Sequence, residues 1–96
     1  MHSLLDSYAR NWRMSGKADT TLATYLNSLR LFVRHTLDDD DGALFDATRA
    51  DLERYIERRM TEVSFNAASS DVRAFKSFYR WAYDQDEIDA DPAPRG

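Results

Sequence analysis

Apolar residues recur at the spacing of an amphipathic α-helix in four separate stretches of the chain. In the first stretch, Ser3 and Asp6 have the spacing of a helix cap. The apolar stripe behind that cap consists of Leu5, Tyr8, Ala9 and Trp12. The second stripe is longer, runs to about Leu37 and contains Leu22, Tyr25, Leu26, Leu29, Phe32 and Val33. These two stripes predict the first and second helices.

The third and fourth stripes also follow sequences that can cap a helix. Thr48 and Asp51 have the spacing of a capping box, and the stripe after them consists of Leu52, Tyr55, Ile56 and Met60. Either Ser64 or Asn66 can cap the fourth helix, which is expected to end near Asp84. Its stripe consists of Ala68, Val72, Phe75, Tyr79 and Ala82, flanked by Phe78 and Trp81. The outer face of the third helix carries charges that predict ordinary pairing between helical neighbours, namely Glu53, Arg54, Glu57, Arg58 and Arg59.

Helix-breaking sequences separate the four stripes. Ser15–Lys17 ends the first helix, and the aspartates Asp38–Asp41, closed by Gly42, predict a solvated loop because like charges repel one another. Ile88 is expected to fold back onto the core, and Asp91–Gly96, with two prolines, predicts a stiff exit from the fold. No stretch alternates like a β-strand. The pattern therefore predicts an all-α fold, a single four-helix bundle.

Length and composition limit the class of protein. A chain of 96 residues can bury one modest core, so a single domain is expected. The absence of cysteine excludes disulfides and thiolate chemistry. No apolar run approaches the roughly 20 residues of a membrane span, and the first residues lack the pattern of a signal peptide. A cytoplasmic location without membrane contact is expected.

The charge balance is unfavourable for a nucleic-acid-binding protein. The formal net charge is −4, with 13 aspartates, 11 arginines and only two lysines. Such a chain repels a phosphate backbone on average, so any binding of nucleic acid has to depend on local basic patches. An aspartate-rich, lysine-poor surface also suits a protein that works in molar salt, and a halophilic source is a hypothesis that follows from it.

Catalytic and metal sites do not assemble from the sequence. His2 and His35 are the only histidines, so neither a two-histidine metal motif nor a serine triad can be built. Four of the five tyrosines are in phase with the apolar stripes, which favours core packing over a role as nucleophile. The aspartate run does not fit a calcium loop, since placing Gly42 sixth puts Leu37 first and Thr48 twelfth, where acidic ligands belong. No cofactor is predicted.

Three segments carry more specific patterns at fixed distances from one another. Lys17–Phe32 combines small polar residues with Thr, Tyr, Leu and Phe, and Leu44–Thr48 is a short apolar lead-in to the third helix. Val72–Trp81 looks like Leu-Ser-Ala-Leu-Arg-Ser-Phe-Tyr-Arg-Trp, the sequence of one helix in a known protein family, and is followed by Ile88–Ala93. Together the segments resemble the N-terminal SAM-like core-binding domain of tyrosine recombinases of the phage integrase type. Asp91-Pro92 stands where that family usually has Asn-Pro.

The resemblance implies a domain that grips duplex DNA with its second and fourth helices during integration or recombination. Members of this family cleave and rejoin DNA through a tyrosine nucleophile, assisted by an arginine pair, a lysine and histidines, all in a following catalytic domain. This set of catalytic residues is not recognisable in the present sequence. Residues 1–91 are therefore expected to form the core-binding domain, and 92–96 the start of a linker to a catalytic domain absent from this sequence. The expected partners are duplex DNA, the protein's own catalytic domain and other recombinase protomers.

Two polar surfaces are the candidates for contacting DNA. The basic ridge of the fourth helix consists of Asn66, Ser70, Arg73, Lys76, Ser77 and Arg80. The start of the second helix offers free backbone N–H groups and the positive end of the helix dipole, together with Lys17, Thr20, Thr21 and Thr24. Weaker candidates farther along this helix are Asn27, Arg30, Arg34 and His35.

Each candidate surface also has an ordinary structural interpretation. Composition alone favours a solvated helix face for the basic ridge, and the resemblance reverses that preference. At the second helix, Asp19 or Thr20 can simply cap the first turn, and both interpretations can hold together. The alternative function is a helical protein–protein interaction module, which would show an exposed apolar patch in place of the basic ridge.

Overall fold

A computed structural model describes residues 4–93 of the chain. Four α-helices follow one another: α1 (Leu4–Met14), α2 (Asp19–Thr36), α3 (Arg49–Glu62) and α4 (Phe65–Asp84). A short 3₁₀ helix, Asp41–Asp46, lies between α2 and α3. The predicted all-α fold is confirmed, and no strand occurs between residues 4 and 93. The 3₁₀ helix is an addition to the prediction, and its first two residues, Asp41 and Gly42, overlap the end of the expected aspartate loop.

The start of α1 is held by an aspartate from a distant part of the chain. The carboxylate of Asp41 accepts hydrogen bonds from the backbone N–H groups of Leu4 at 2.9 Å and Leu5 at 3.4 Å. The predicted cap, Ser3, lies outside the described residues. The prediction of a wholly solvated aspartate loop is wrong for Asp41, because this side chain is half-buried and satisfies N–H groups that a helix leaves unpaired.

Removing this tertiary cap is expected to weaken the docking of α1. Asp41→Ala leaves the N–H groups of Leu4 and Leu5 without the carboxylate, and we expect the free energy of unfolding to fall by about 1 kcal/mol. Urea denaturation followed by circular dichroism measures the loss. Asp46→Ala is the matched control, since it removes an exposed aspartate from the other end of the same 3₁₀ helix. An equal loss in both variants would contradict the capping role.

Helix α2 begins without a side-chain cap. Its N-cap residue is Ala18, and no side chain accepts a hydrogen bond there, so the prediction that Asp19 or Thr20 caps the helix is wrong. At the other end, Asp38 and Asp39 adopt left-handed backbone conformations with φ of 51° and 63°. Aspartate tolerates this region better than most residues, which allows the chain to turn sharply out of α2. Asp86, just after α4, has a φ of 59°.

The predicted capping box at the start of α3 is confirmed. The hydroxyl of Thr48 accepts from the backbone N–H of Asp51 at 3.2 Å, and the Asp51 carboxylate accepts from the N–H of Thr48 at 3.0 Å. The second of these bonds holds the pKa of Asp51 below its ordinary value. Leu52, Tyr55 and Ile56 are buried as predicted. Met60 is 50% exposed, so its assignment to the buried face is wrong.

The lowered pKa of Asp51 predicts a pH-dependent contribution to stability. Its ionised carboxylate stabilises the fold above the ordinary aspartate pKa of 3.8, and this contribution is lost as the pH falls through the lowered value. At neutral pH we expect Asp51→Asn to unfold more easily by about 0.5 kcal/mol. Urea titrations from about pH 7 to about pH 2 measure the difference from the unmodified protein. A difference that stays constant over this range would contradict the prediction.

Aromatic residues from α2, α3 and α4 form the centre of the core. The ring of Phe32 lies 5.0 Å from that of Tyr55 and 5.1 Å from that of Phe75, both in edge-to-face geometry. The buried hydroxyl of Tyr79 donates to the backbone carbonyl of Leu44 at 2.8 Å, which joins α4 to the 3₁₀ helix. The side chain of Ser64 accepts a hydrogen bond from the backbone N–H of Ala67, so Ser64, and not Asn66, caps α4. These contacts fix how α4 sits against the other helices.

The chain after α4 returns to the core. Ile88 is half-buried and packs against the core cluster, which confirms the expectation for this residue. Ala93 is 8% exposed and belongs to that cluster. The carboxylate of Asp91 accepts from the backbone N–H of Ala93 at 2.9 Å and holds this last described turn in place. The division of the chain after residue 91 stays a prediction.

A buried ion pair connects α3 to α4. Arg59 Nε donates to Asp71 Oδ2 at 2.8 Å, and the side chains are 19% and 1% exposed. The hydrogen bond to the Asp71 carboxylate raises the pKa of Arg59 above its ordinary value. The prediction of surface pairing between helical neighbours is wrong for Arg59. It fits Arg58, which pairs within α3 at 3.7 Å with Glu62, a residue outside the predicted set, and both side chains are largely exposed.

Candidate nucleic-acid interface

A groove lies between α1, the start of α2 and the second half of α4. We call it the α1–α4 groove, and its volume is about 540 Å³. Its lining residues are Tyr8, Asn11, Trp12, Lys17, Tyr25, Lys76, Ser77, Arg80, Trp81, Asp84 and Gln85. Four of the ten predicted DNA contacts are among them, namely Lys17, Lys76, Ser77 and Arg80. Folding thus brings one cation from the turn before α2 to the same groove as two from α4.

The aromatic lining of the groove is ordered by its own contacts. Tyr8 lies edge-to-face against Trp81 at 5.7 Å, and Trp12 against Tyr25 at 5.6 Å. The indole N–H of Trp12 donates to the carbonyl of Ala18 at 3.0 Å, which ties α1 to the turn before α2. The ammonium of Lys17 lies 4.9 Å from the centre of the Trp12 ring. The position of Lys17 is therefore supported by a fixed aromatic surface.

Ser77 is engaged inside the protein as well as facing the groove. Its hydroxyl shares a hydrogen bond with the hydroxyl of Tyr8 at 2.5 Å, and either oxygen can donate. Burial raises the pKa of Tyr8, so the phenol stays neutral at ordinary pH. When Tyr8 donates, the Ser77 proton is available to an acceptor in the groove. This bond also fixes α1 against α4 at the floor of the groove.

The cations of the groove face one carboxylate. Arg80 Nε lies 3.3 Å from Asp84 Oδ2, and these side chains are 74% and 53% exposed. An exposed pair of this kind contributes little to stability, so an incoming phosphate can replace the carboxylate at small cost. Lys17 and Lys76 are also exposed. The groove therefore presents three cations against one anion in a chain whose net charge is −4.

A comparison with known protein families matches residues 4–89 to the phage integrase N-terminal SAM-like domain. The chain belongs to this family. The matched range contains all four α-helices and the 3₁₀ helix of the SAM-like domain. The matched domain is the N-terminal one of these recombinases and is distinct from their catalytic domain. No curated protein and no solved structure matches the chain.

The other six predicted contacts of the SAM-like domain lie outside the α1–α4 groove. Thr20 and Thr21 are exposed on the first turn of α2, and the Thr24 hydroxyl donates back to the carbonyl of Thr20 at 3.2 Å. The remaining three lie on the first half of α4, where Asn66 and Arg73 are exposed and Ser70 is half-buried. The predicted surface is therefore wider than the groove and extends beyond it on both helices.

Sequence reasoning missed most of the groove lining. Tyr8, Trp12 and Tyr25 are in phase with apolar stripes, so the pattern predicts them in the core, and each also lines the groove. The polar ends of tyrosine and tryptophan are the one signal that could have indicated this double role, because such rings often lie between core and solvent. Nothing in the sequence marked Asn11 or Gln85.

The described part of the SAM-like domain offers neither a metal site nor a membrane span. Between residues 4 and 93, no group of three or more His, Asp or Glu side chains is arranged to hold a metal ion. No helix in this range is both long enough and apolar enough to cross a membrane.

Proposed function

We propose that this SAM-like domain binds duplex DNA through the start of α2 and the basic ridge of α4, as the non-catalytic part of a site-specific recombinase. The observation that carries the proposal is the convergence of Lys17, Lys76 and Arg80 on one groove. Lys17 lies far in the sequence from Lys76 and Arg80, which are one helical turn apart on α4. Their meeting in a net acidic chain gives a local basic surface of the kind that binds a phosphate backbone.

Positioning on DNA is the role proposed for this surface. Lysine and arginine neutralise phosphates, and these contacts fix the orientation of a protein on the duplex without reading its sequence. The uncapped start of α2 supports the proposal, because its free N–H groups and exposed Thr20 and Thr21 hydroxyls can donate to a phosphate. Asn66, Ser70 and Arg73 would extend the contact along α4.

The catalytic step is assigned to another part of the recombinase. The buried Tyr8, Tyr55 and Tyr79, and the half-buried Tyr25, have the packing of structural residues. The proposed partners are therefore duplex DNA, the catalytic domain of the same protein and neighbouring protomers on the DNA. Residues 1–91 are proposed as the DNA-gripping unit and 92–96 as the start of the connection to the catalytic domain, with the cytoplasm as the place of action.

Amide chemical shifts of the ¹⁵N-labelled domain test the proposal. The labelled protein is titrated with a short DNA duplex at low salt and then at high salt. We expect the largest shifts at Thr20, Lys76 and Arg80, decreasing as salt rises because the free energy gained by releasing counterions from DNA falls at higher salt concentration. Arg54 and Arg58 on α3 serve as internal controls that should not respond. Absence of shifts at low salt, or shifts centred on α3, would overturn the proposal.

A further inference from the structure

A second groove lies between the end of α3 and the start of α4, on the other side of the basic ridge. We call it the α3–α4 groove, and its volume is about 320 Å³. Ile56 and Val72 contribute to its floor, and Met60 and Phe65 stand beside it with 50% and 70% of their surfaces exposed. Two large exposed apolar side chains at one groove are a feature of interaction surfaces in folded proteins.

The charge around this groove is the opposite of the charge of the chain. The net charge is −4, whereas Arg73 and Lys76 are the only charged residues in the described part of the chain that line the α3–α4 groove. An apolar floor with a cationic rim selects an occupant that has apolar and acidic side chains on adjacent faces. It disfavours a basic or wholly polar segment.

We propose that the α3–α4 groove binds an acidic amphipathic helix of a partner protein. A groove between two helices accepts the apolar face of a third, with anchors spaced three and four residues apart. The unbranched side chain of Met60 can adjust its shape to such an anchor, and Phe65 adds a rigid apolar wall. Acidic residues beside the anchors pair with Arg73 and Lys76. The apolar patch thus lies beside the basic ridge and does not replace it.

The position of Lys76 connects this groove to DNA binding. Lys76 lines both grooves, and Arg73, another predicted DNA contact, lines the α3–α4 groove. A bound acidic helix would occupy these two cations and compete with DNA for them. This competition rests on the proposed function, whereas binding of the helix in the groove does not.

A designed peptide tests the groove directly. The probe is a fluorescein-labelled helical peptide of about 15 residues, with leucines at i, i+3, i+4 and i+7 and glutamates on both flanks. Fluorescence anisotropy measures its binding to the domain without DNA. The paired variant Met60→Ser with Phe65→Ser is expected to bind about tenfold more weakly. Met14→Ser with Tyr83→Ser is the matched control, since it removes one exposed methionine and one exposed aromatic ring elsewhere.

The outcomes separate the apolar contribution from the electrostatic one. Replacing the leucines of the peptide by serine should abolish binding, and Arg73→Gln with Lys76→Gln should weaken binding about fivefold at low salt. No binding of the leucine peptide, or equal binding of the serine peptide, would overturn the proposal. If the peptide binds and DNA does not, the groove proposal stands and the proposed function fails. If both bind without competing, the link through Lys76 is wrong.

Discussion

Replacing Asp71 by alanine is expected to destabilise the domain by about 3 kcal/mol. Asp71 is 1% exposed and accepts a hydrogen bond from Arg59, which is 19% exposed. Removal of the carboxylate leaves the guanidinium partly buried and without its counterion. The cost of an uncompensated buried charge exceeds that of losing an ordinary hydrogen bond.

Asp84→Ala is the control for this prediction. It breaks the Arg80–Asp84 pair, which is largely exposed, and is expected to change the free energy of unfolding by less than about 0.5 kcal/mol. The combined replacement Arg59→Met with Asp71→Leu should recover much of the stability, since it removes both charges together. Urea denaturation of the four proteins measures these differences. Similar losses in Asp71→Ala and Asp84→Ala would refute a special contribution of the buried pair.

Removing the three cations of the α1–α4 groove is expected to reduce DNA affinity by more than tenfold at low salt. The variant combines Lys17→Ala, Lys76→Ala and Arg80→Ala. Each lost phosphate contact should also lower the slope of log affinity against log salt by about 0.9, because fewer counterions are released on binding. Fluorescence anisotropy with a labelled duplex over a range of salt concentrations measures both quantities.

A second triple variant controls for overall charge. Arg49, Arg54 and Arg58 are exposed on α3, outside both predicted DNA-binding surfaces, and replacing these three arginines by alanine changes the net charge by the same amount. If DNA attraction depended on net charge alone, the two variants would lose affinity to the same extent. We expect the Arg49, Arg54, Arg58 variant to keep most of its affinity and an unchanged salt slope. Equal losses would contradict a specific interface at the α1–α4 groove.

The sequence predicted those parts of the fold that depend on local pattern. The apolar stripes placed the four helices, and the spacing of Thr48 and Asp51 revealed the cap of α3, since both signals lie within a few residues. Asp41 holds the start of α1 from more than 30 residues away, so no local rule could predict it. The same applies to Asp71, whose partner lies on another helix. For Met60 the local pattern predicts a buried residue, but the side chain is half exposed. Helical phase gives the face of the helix on which a residue lies, and does not show whether another helix covers that position.

The candidate site was predictable in its charges and unpredictable in its shape. Lysine and arginine on two helices indicated two basic surfaces, and the family resemblance indicated their use. Periodicity could not show that Lys17 meets Lys76 and Arg80, because that meeting depends on how α2 packs against α4. It also could not show that Ser77 bonds to Tyr8, since the sequence presented Ser77 only as an exposed hydroxyl.

Three aspartates with left-handed backbone conformations affect both the stability of the domain and its net negative charge. Asp38, Asp39 and Asp86 occupy backbone positions where glycine, without a Cβ atom, avoids the steric clash that other residues suffer. Each aspartate replaced by glycine relieves up to about 1 kcal/mol of this strain and moves the net charge of −4 one step towards zero. Engineering for heat resistance at these turns would therefore also make the protein less repulsive to polyanions. A substitution at any of these three positions therefore alters the stability of the fold and its net charge together.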